Sequence, residues 1–273
     1  MGDVEKSLEA IRHRDRPNVK DYIAWIFPDF IELKGDRLCG DDTAIIGGLA
    51  TLNGRPITVI GQIKGRNLEE NLQCNFSMPM PEGYRKALRL MKQAEKFQRP
   101  VVCFVDTVGA DPGECAEARG QGTAIANNLM EMMNLKTILI SILIGDGGSG
   151  GALALCVADR IGALENAVLS VISPKACADI LWKDSSQSIK AARMLHITAQ
   201  DLLQMNIIDE VLVEPGCGAH TNPVYMADEI KKYLISVIAD LQHYPMRLLI
   251  KKRNKKFRNM GLKNLSKPAN KNQ

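Results

Sequence analysis

Two short glycine-rich stretches hold the chemistry this sequence could perform: GDGGSGG from Gly145 to Gly151, and DTVGADPG from Asp106 to Gly113. Gly147, Gly148, Gly150 and Gly151 let the main chain take conformations closed to other residues and let another molecule approach it closely. If Ala152 to Ala158 opens a helix, the N–H groups of its first turn lack partners within that helix and lie at its positive end. Gly150 and Gly151 then present bare donors to an oxygen anion. The competing reading of these glycines is tight packing of helix on strand, which also needs residues without side chains. Ser149 superficially resembles a hydrolase nucleophile. Serine on a glycine turn also serves as a hydrogen-bonding linker, and none of the four histidines stands in a recognisable partner motif.

Each loop must be positioned by the elements around it. Ile138 to Ile144 carries no charge and has isoleucine at 138, 140, 142 and 144, so it reads as a buried strand. Val101 to Val105 is a second bare apolar strand, and a helix is predicted from about Ala116 to Met133. Strand, glycine loop and helix thus occur in that order twice in succession, which implies crossover units and a mostly parallel sheet. Both loops then leave at the carboxyl edge, and if the strands are neighbours their N–H groups can converge on one oxygen. The candidate donors are the main chains of Gly109 and Ala110 in the first loop and of Gly150 and Gly151 in the second. Candidate substrate-binding residues are Lys64, Gly65, Arg66, Gly147, Gly148 and Ser149. The two cations could hold phosphate or carboxylate, and the plain alternative is ordinary surface charge.

The remaining pattern continues in the same style. Helices are predicted over Val4 to His13, Asp21 to Phe30, Pro81 to Phe97, Lys175 to Trp182, Ile189 to Met194 and Pro223 to Leu241, with a helix start at Thr198. Thr43 to Thr51 and Pro56 to Ile63 form a hairpin across Asn53-Gly54, and Val168 to Ile172 and Ile207 to Val213 are short apolar segments. At 273 residues, 45% hydrophobic and 24% charged, the chain reads as one α/β domain. The net charge of +4 is concentrated after Lys251, and that run is read as a solvated or partly disordered terminus. The seven cysteines include no C-x-x-C pair, so neither a zinc site nor a disulfide framework is indicated. Reduced thiols point to a cytoplasmic protein, the N-terminus is too polar for a secretory signal, and no apolar run reaches membrane-spanning length.

An ordered series of strings carries a family resemblance: ELKGDR (Glu32 to Arg37), DDTAIIGG (Asp41 to Gly48), KGR (Lys64 to Arg66), NFSMPMPEGYRKALRLM (Asn75 to Met91), GGSGGALAL (Gly147 to Leu155), SVISP (Ser170 to Pro174) and GAH (Gly218 to His220). From about Arg16 to Gly261 the chain resembles the alpha subunits of bacterial acetyl-coenzyme A carboxylase carboxyltransferases, members of the crotonase-like superfamily. The resemblance implies a crotonase-like spiral of ββα units over residues 31–245, an N-terminal helical extension over 1–30 and a basic tail over 246–273. It implies transfer of a carboxyl group from carboxybiotin, held on a biotin carboxyl carrier protein, to acetyl-coenzyme A, giving malonyl-coenzyme A for fatty acid synthesis. The implied partners are a beta subunit, in an alpha2beta2 heterotetramer and carrying the zinc, together with the carrier protein and biotin carboxylase. Neither a membrane nor nucleic acid is implied. The chain departs from the family pattern at Val108, Asp111, Asp146, Lys175 and Ala176, and a carboxylate at 111 would oppose an anion bound next to it. Three other readings stand beside the main one: a divergent carboxyltransferase acting on another acyl-coenzyme A, a serine hydrolase built on Ser149, and a non-catalytic assembly subunit.

Overall fold

The computed structural model describes residues 3–261. Its strands are β1 (Ile31–Glu32), β2 (Ile45–Leu52), β3 (Arg55–Gln62), β4 (Val101–Thr107), β5 (Leu139–Gly148), β6 (Arg160–Leu164), β7 (Val168–Ser170) and β8 (Glu210–Leu212). The helices are α1 (Val4–Arg12), α2 (Val19–Ile26), α3 (Leu68–Gln73), α4 (Pro81–Lys96), α5 (Glu114–Ala118), α6 (Gln121–Asn134), α7 (Ser149–Leu153), α8 (Pro174–Trp182), α9 (Ser188–Leu195), α10 (Ala199–Gln204), α11 (Pro223–Leu241) and α12 (Met246–Asn259).

The strands form one sheet in the order β1-β2-β3-β4-β5-β6-β8, with β7 paired to the far end of β5. β2 and β3 are the antiparallel hairpin, turned by Asn53 at φ 50° and Gly54 at φ 76°, the backbone that an Asn-Gly turn favours. From β3 through β6 to β8 every pairing is parallel. All seven residues of β4 are buried, as expected of a strand covered on both faces. Gly47 leaves room for Leu90 of α4, and Gly61 leaves room for Val19 of α2. Since Gly47 pairs with Ile60, the residue before Gly61, these two helices cover opposite faces of the sheet.

Four expectations change. The helix expected over 116–133 is two helices, α5 and α6, broken by Gly120 at φ 84°. The helix expected from Ala152 begins at Ser149 and ends at Leu153, and β5 runs on to Gly148. The helix expected over 21–30 is α2, Val19–Ile26, which starts two residues and ends four residues earlier. In α2, Val19, Tyr22, Ile23 and Ile26 belong to the main core, whereas Val4, Leu8 and Ile11 of α1 form a separate small cluster with Val168, Ala192 and Ile197. The basic run read as a solvated terminus is helical as far as Asn259, and it buries Leu249 and Arg253. The rest of that run, 262–273, lies outside the described residues.

Candidate active site

β4 and β5 are parallel neighbours, so the loops that follow them emerge side by side at one edge of the sheet, with Thr107 paired opposite Gly147. The two main chains touch. A Cβ on Gly148 would stand 2.2 Å from the carbonyl of Val108, and one on Gly151 would stand 2.5 Å from Ala110 N. Contacts that short exclude any side chain, so both glycines are required by the approach of one loop to the other.

Among the described residues, no acceptor takes the N–H of Ala110, Gly150 or Gly151. The Gly109 N–H is different: it donates to Thr107 Oγ1 at 3.0 Å. Of the four expected donors, three are therefore left unpaired, because the threonine hydroxyl folds back on its own loop. Thr107 Oγ1 also lies 2.5 Å from Ser77 O, anchoring the first loop to the segment before α4.

The second loop is held from below by Gln62, which is fully buried at the end of β3. Its Nε2 donates to Gly151 O at 2.8 Å, and its Oε1 accepts from Asp106 N at 3.3 Å. One amide thus fixes both loop bases, each lone buried group finding its partner. Gln62 was not among the expected site residues, though an amide inside the apolar run PITVIGQI is itself a sequence signal. Thr107 and Asn75, and the contribution of α1, were missed as well.

Lys64 reaches this edge, but its ammonium is engaged. Nζ lies 2.5 Å from Asp146 Oδ2 and 3.7 Å from Asp106 Oδ1, and it donates to Ile11 O at 3.3 Å. Burial opposes its charge, yet the two carboxylates outweigh burial and lift its pKa above the ordinary lysine value. Asp106 in turn accepts from Asp146 N at 2.9 Å, bracing the entry to the glycine turn. Arg66 pairs with both oxygens of Asp21 at 2.7 and 2.8 Å, and Gly65 backs onto α3, where a Cβ would stand 2.4 Å from Asn71 N. Neither lines the cleft at the loops.

That cleft holds about 300 Å³ and is walled by Leu8, Arg12, Lys64, Val108, Gly148 and Ser149, with further residues from β7 and the start of α8. Gly147 also lines it, whereas Gly109, Ala110, Gly150 and Gly151 do not; they follow the lining residues Val108 and Ser149 in the chain. Ser149 stands at φ 49°, an uncommon backbone for a residue other than glycine. None of the histidines lines the cleft, and His13 and His220 are stacked on one another with ring centroids 3.8 Å apart. The carboxylate of Asp111 does not fill the gap between the loops. It accepts from Asn75 Nδ2 at 2.6 Å and from Gly113 N at 2.7 Å. Lys175 and Ala176 lie in the first turn of α8, whose cap Ser173 accepts from Ala176 N. Asp36, Cys39 and Glu82 come close enough together to suit a metal ion, but Asp36 already accepts from three N–H groups and Arg85, and Glu82 from Arg85 and Arg119.

The mixed sheet with two glycine loops at one edge is the architecture of crotonase-like carboxyltransferases. The beta subunit of P. aeruginosa geranyl-CoA carboxylase superposes with a TM-score of 0.65 at 17% identity, covering 90% of this chain and 46% of that one, so this chain spans about half its length. A chain of the Pseudomonas malonate decarboxylase hetero-dimer superposes with a TM-score of 0.64 at 17% identity over 83% and 92% of the two chains. The chain belongs to the acetyl co-enzyme A carboxylase carboxyltransferase-like family, which matches residues 3–261. It is similar to the acetyl-coenzyme A carboxylase carboxyl transferase subunit alpha of Clostridium perfringens, at 56% identity over 94% of this chain and 95% of that relative. No described helix is long and apolar enough to cross a membrane.

Proposed function

We propose that this chain is the half of an acetyl-coenzyme A carboxyltransferase that receives the biotin ring, working with a beta subunit that supplies most of the coenzyme A side. The observation that carries the reading is the close approach of the two loops, which brings the unpaired N–H groups of Ala110, Gly150 and Gly151 to one edge of the sheet. Such a group of main-chain donors suits a ring bearing one anionic oxygen. When bound, carboxybiotin supplies the carboxyl group, and its ring nitrogen supplies the base for the thioester methyl. The chain's own part is electrostatic. Preorganised main-chain donors stabilise developing oxyanion charge by roughly 3 kcal/mol each, and they need no reorganisation because Gln62 and Thr107 already hold the loops.

Gly109 N–H is excluded from the donor set, and Lys64 acts by bracing Asp106 and Asp146 rather than by gripping substrate. Gly147, Gly148 and Ser149 shape the cleft. The carrier protein, biotin carboxylase and an alpha2beta2 assembly complete the proposed system, with zinc on the beta chain and malonyl-coenzyme A directed to fatty acid synthesis.

The test is malonyl-coenzyme A decarboxylation in the presence of free biotin by the purified chain mixed with its beta partner. Turnover that is abolished by Gly151→Val and kept by Ser149→Ala supports the reading. Loss with Ser149→Ala, together with labelling of Ser149 by a fluorophosphonate, turns it toward a hydrolase, and no turnover with any partner toward an assembly role.

A further inference from the structure

From the strained turn before α4 we infer that Asn75 is a positioning residue of the carboxyltransferase site, one that holds the Asp111 carboxylate away from the oxyanion donors. The inference rests on the reading of Ala110 as a donor. Asn75, Phe76 and Ser77 stand one after another at φ 48°, 53° and 63°, a left-handed run without a glycine. Side chains disfavour that backbone, and consecutive instances persist only where the surroundings impose them.

The run and the residues just after it aim three groups at the first glycine loop. Asn75 Nδ2 donates to Asp111 Oδ2 at 2.6 Å and to Met78 O at 2.9 Å, two acceptors that leave no ambiguity about which end of the amide points inward. Ser77 O sits 2.5 Å from Thr107 Oγ1. Pro79 O accepts from Asp111 N at 3.1 Å. Asp111 is thus held by backbone and side chain together, one residue from the unpaired N–H of Ala110.

A carboxylate in that position is a hazard. Left untied, it would compete for a donor meant for a developing oxyanion, and its charge would oppose that oxyanion. Tying one oxygen to Asn75 and the other to Gly113 N occupies the carboxylate with other donors and fixes where its charge sits, while the main chain stays where the site needs it.

Asn75→Gly is the informative variant, since glycine accepts φ 48° without strain and only the amide is lost. With the beta partner present, kcat for biotin-dependent malonyl-coenzyme A decarboxylation is expected to fall about tenfold, a fraction of what outright loss of an oxyanion donor causes. KM for malonyl-coenzyme A should stay within about twofold, as for a group that acts on the transition state alone. Adding Asp111→Asn, which removes the charge, should return kcat to within about threefold of the starting protein, a non-additivity diagnostic of coupled residues. An unchanged kcat in Asn75→Gly, or a double variant no better than the single, overturns the inference while leaving the carboxyltransferase reading intact. An unsubstituted chain inactive with every partner overturns both.

Discussion

Gly151 lies in backbone contact with Ala110 across the edge of the sheet: a Cβ on the glycine would stand 2.5 Å from the alanine nitrogen and 2.9 Å from the Tyr84 hydroxyl. The φ of Gly151 is an ordinary one, so alanine there would not strain its own residue. It would push the Ala110 peptide out of place. Gly151→Ala is therefore expected to lower kcat by about a hundredfold, the effect of displacing one preorganised donor. Gly150→Ala would meet only Ile125 Cγ2 at 3.8 Å, so its urea midpoint should match that of the parent. Denaturation and decarboxylation assays on the two variants separate site geometry from folding.

Gln62 hydrogen-bonds to main-chain groups of both loop bases, and its replacement should be felt in each. Gln62→Leu keeps the volume but leaves Gly151 O and Asp106 N buried without partners. Each orphaned group costs about 1–3 kcal/mol, so a loss of about 2–6 kcal/mol in unfolding free energy is expected. The remaining folded enzyme should also show a kcat lower by about tenfold with little change in KM, because the carbonyl that sets the pitch of α7 is no longer held. An unaltered kcat in the folded fraction would remove Gln62 from the site's supporting structure.

Arg16 and Glu214 form a buried two-pronged pair at 2.8 and 2.7 Å, and Arg16 also donates twice to Ile144 O near the end of β5. Removing the cation by Arg16→Met strands the carboxylate in the interior and should cost about 3–5 kcal/mol. The pH dependence follows from the same pair. Burial pushes the Glu214 carboxyl up, but Arg16 and the Asn166 N–H outweigh it and hold its pKa below the ordinary glutamate value. Its contribution is thus complete above about pH 4.3, the unfolded value, and is lost as pH falls through the lower folded value. Asp42 runs the other way. Burial raises it to about 6, against the N–H groups of Ala44 and Met80, so its contribution declines as pH climbs from about 4 to about 6. Unfolding free energy measured across pH 3 to 7 should show the acid limb flattened in Arg16→Met and the slope from 4 to 6 flattened in Asp42→Asn.

The legible parts of this protein are those written locally. Bare apolar runs marked β4 and β5, Asn53-Gly54 marked the hairpin, and two glycine loops after adjacent crossover strands marked the edge where the two loops meet. What the sequence could not display is the direction of individual groups. Nothing in Asp106-Thr107-Val108-Gly109 says that the threonine hydroxyl captures the Gly109 N–H, and Lys64 could not be seen to have two carboxylates waiting for it. Charge runs mislead in the same way. The partners that turn Arg253 inward lie 94 to 121 residues earlier, so KKRNKKFR looks like a solvated tail until the fold brings them together.

Arg253 spends every donor it has. Nε and one Nη2 hydrogen reach the two oxygens of Asp159 at 2.8 Å, the other Nη2 hydrogen reaches Thr137 O at 2.8 Å, and Nη1 donates to Met132 O and Leu135 O at 2.6 and 3.0 Å. The guanidinium therefore satisfies carbonyls at the end of α6 and neutralises a buried acid that also accepts from Leu139 N at the start of β5. Arg253→Met would leave that acid unpaired and those carbonyls dry, and should cost about 3–5 kcal/mol. Lysine offers three donors from a point rather than five from a plane, so Arg253→Lys should recover only part of the loss. Hydrogen exchange locates the effect: amides of α12 should lose protection in Arg253→Met first, before those of β4 and β5, because the helix is pinned to the sheet through this side chain. Protection of α12 that is unchanged in Arg253→Met would mean that Leu249 and its apolar neighbours, not the buried ion pair, hold the helix in place.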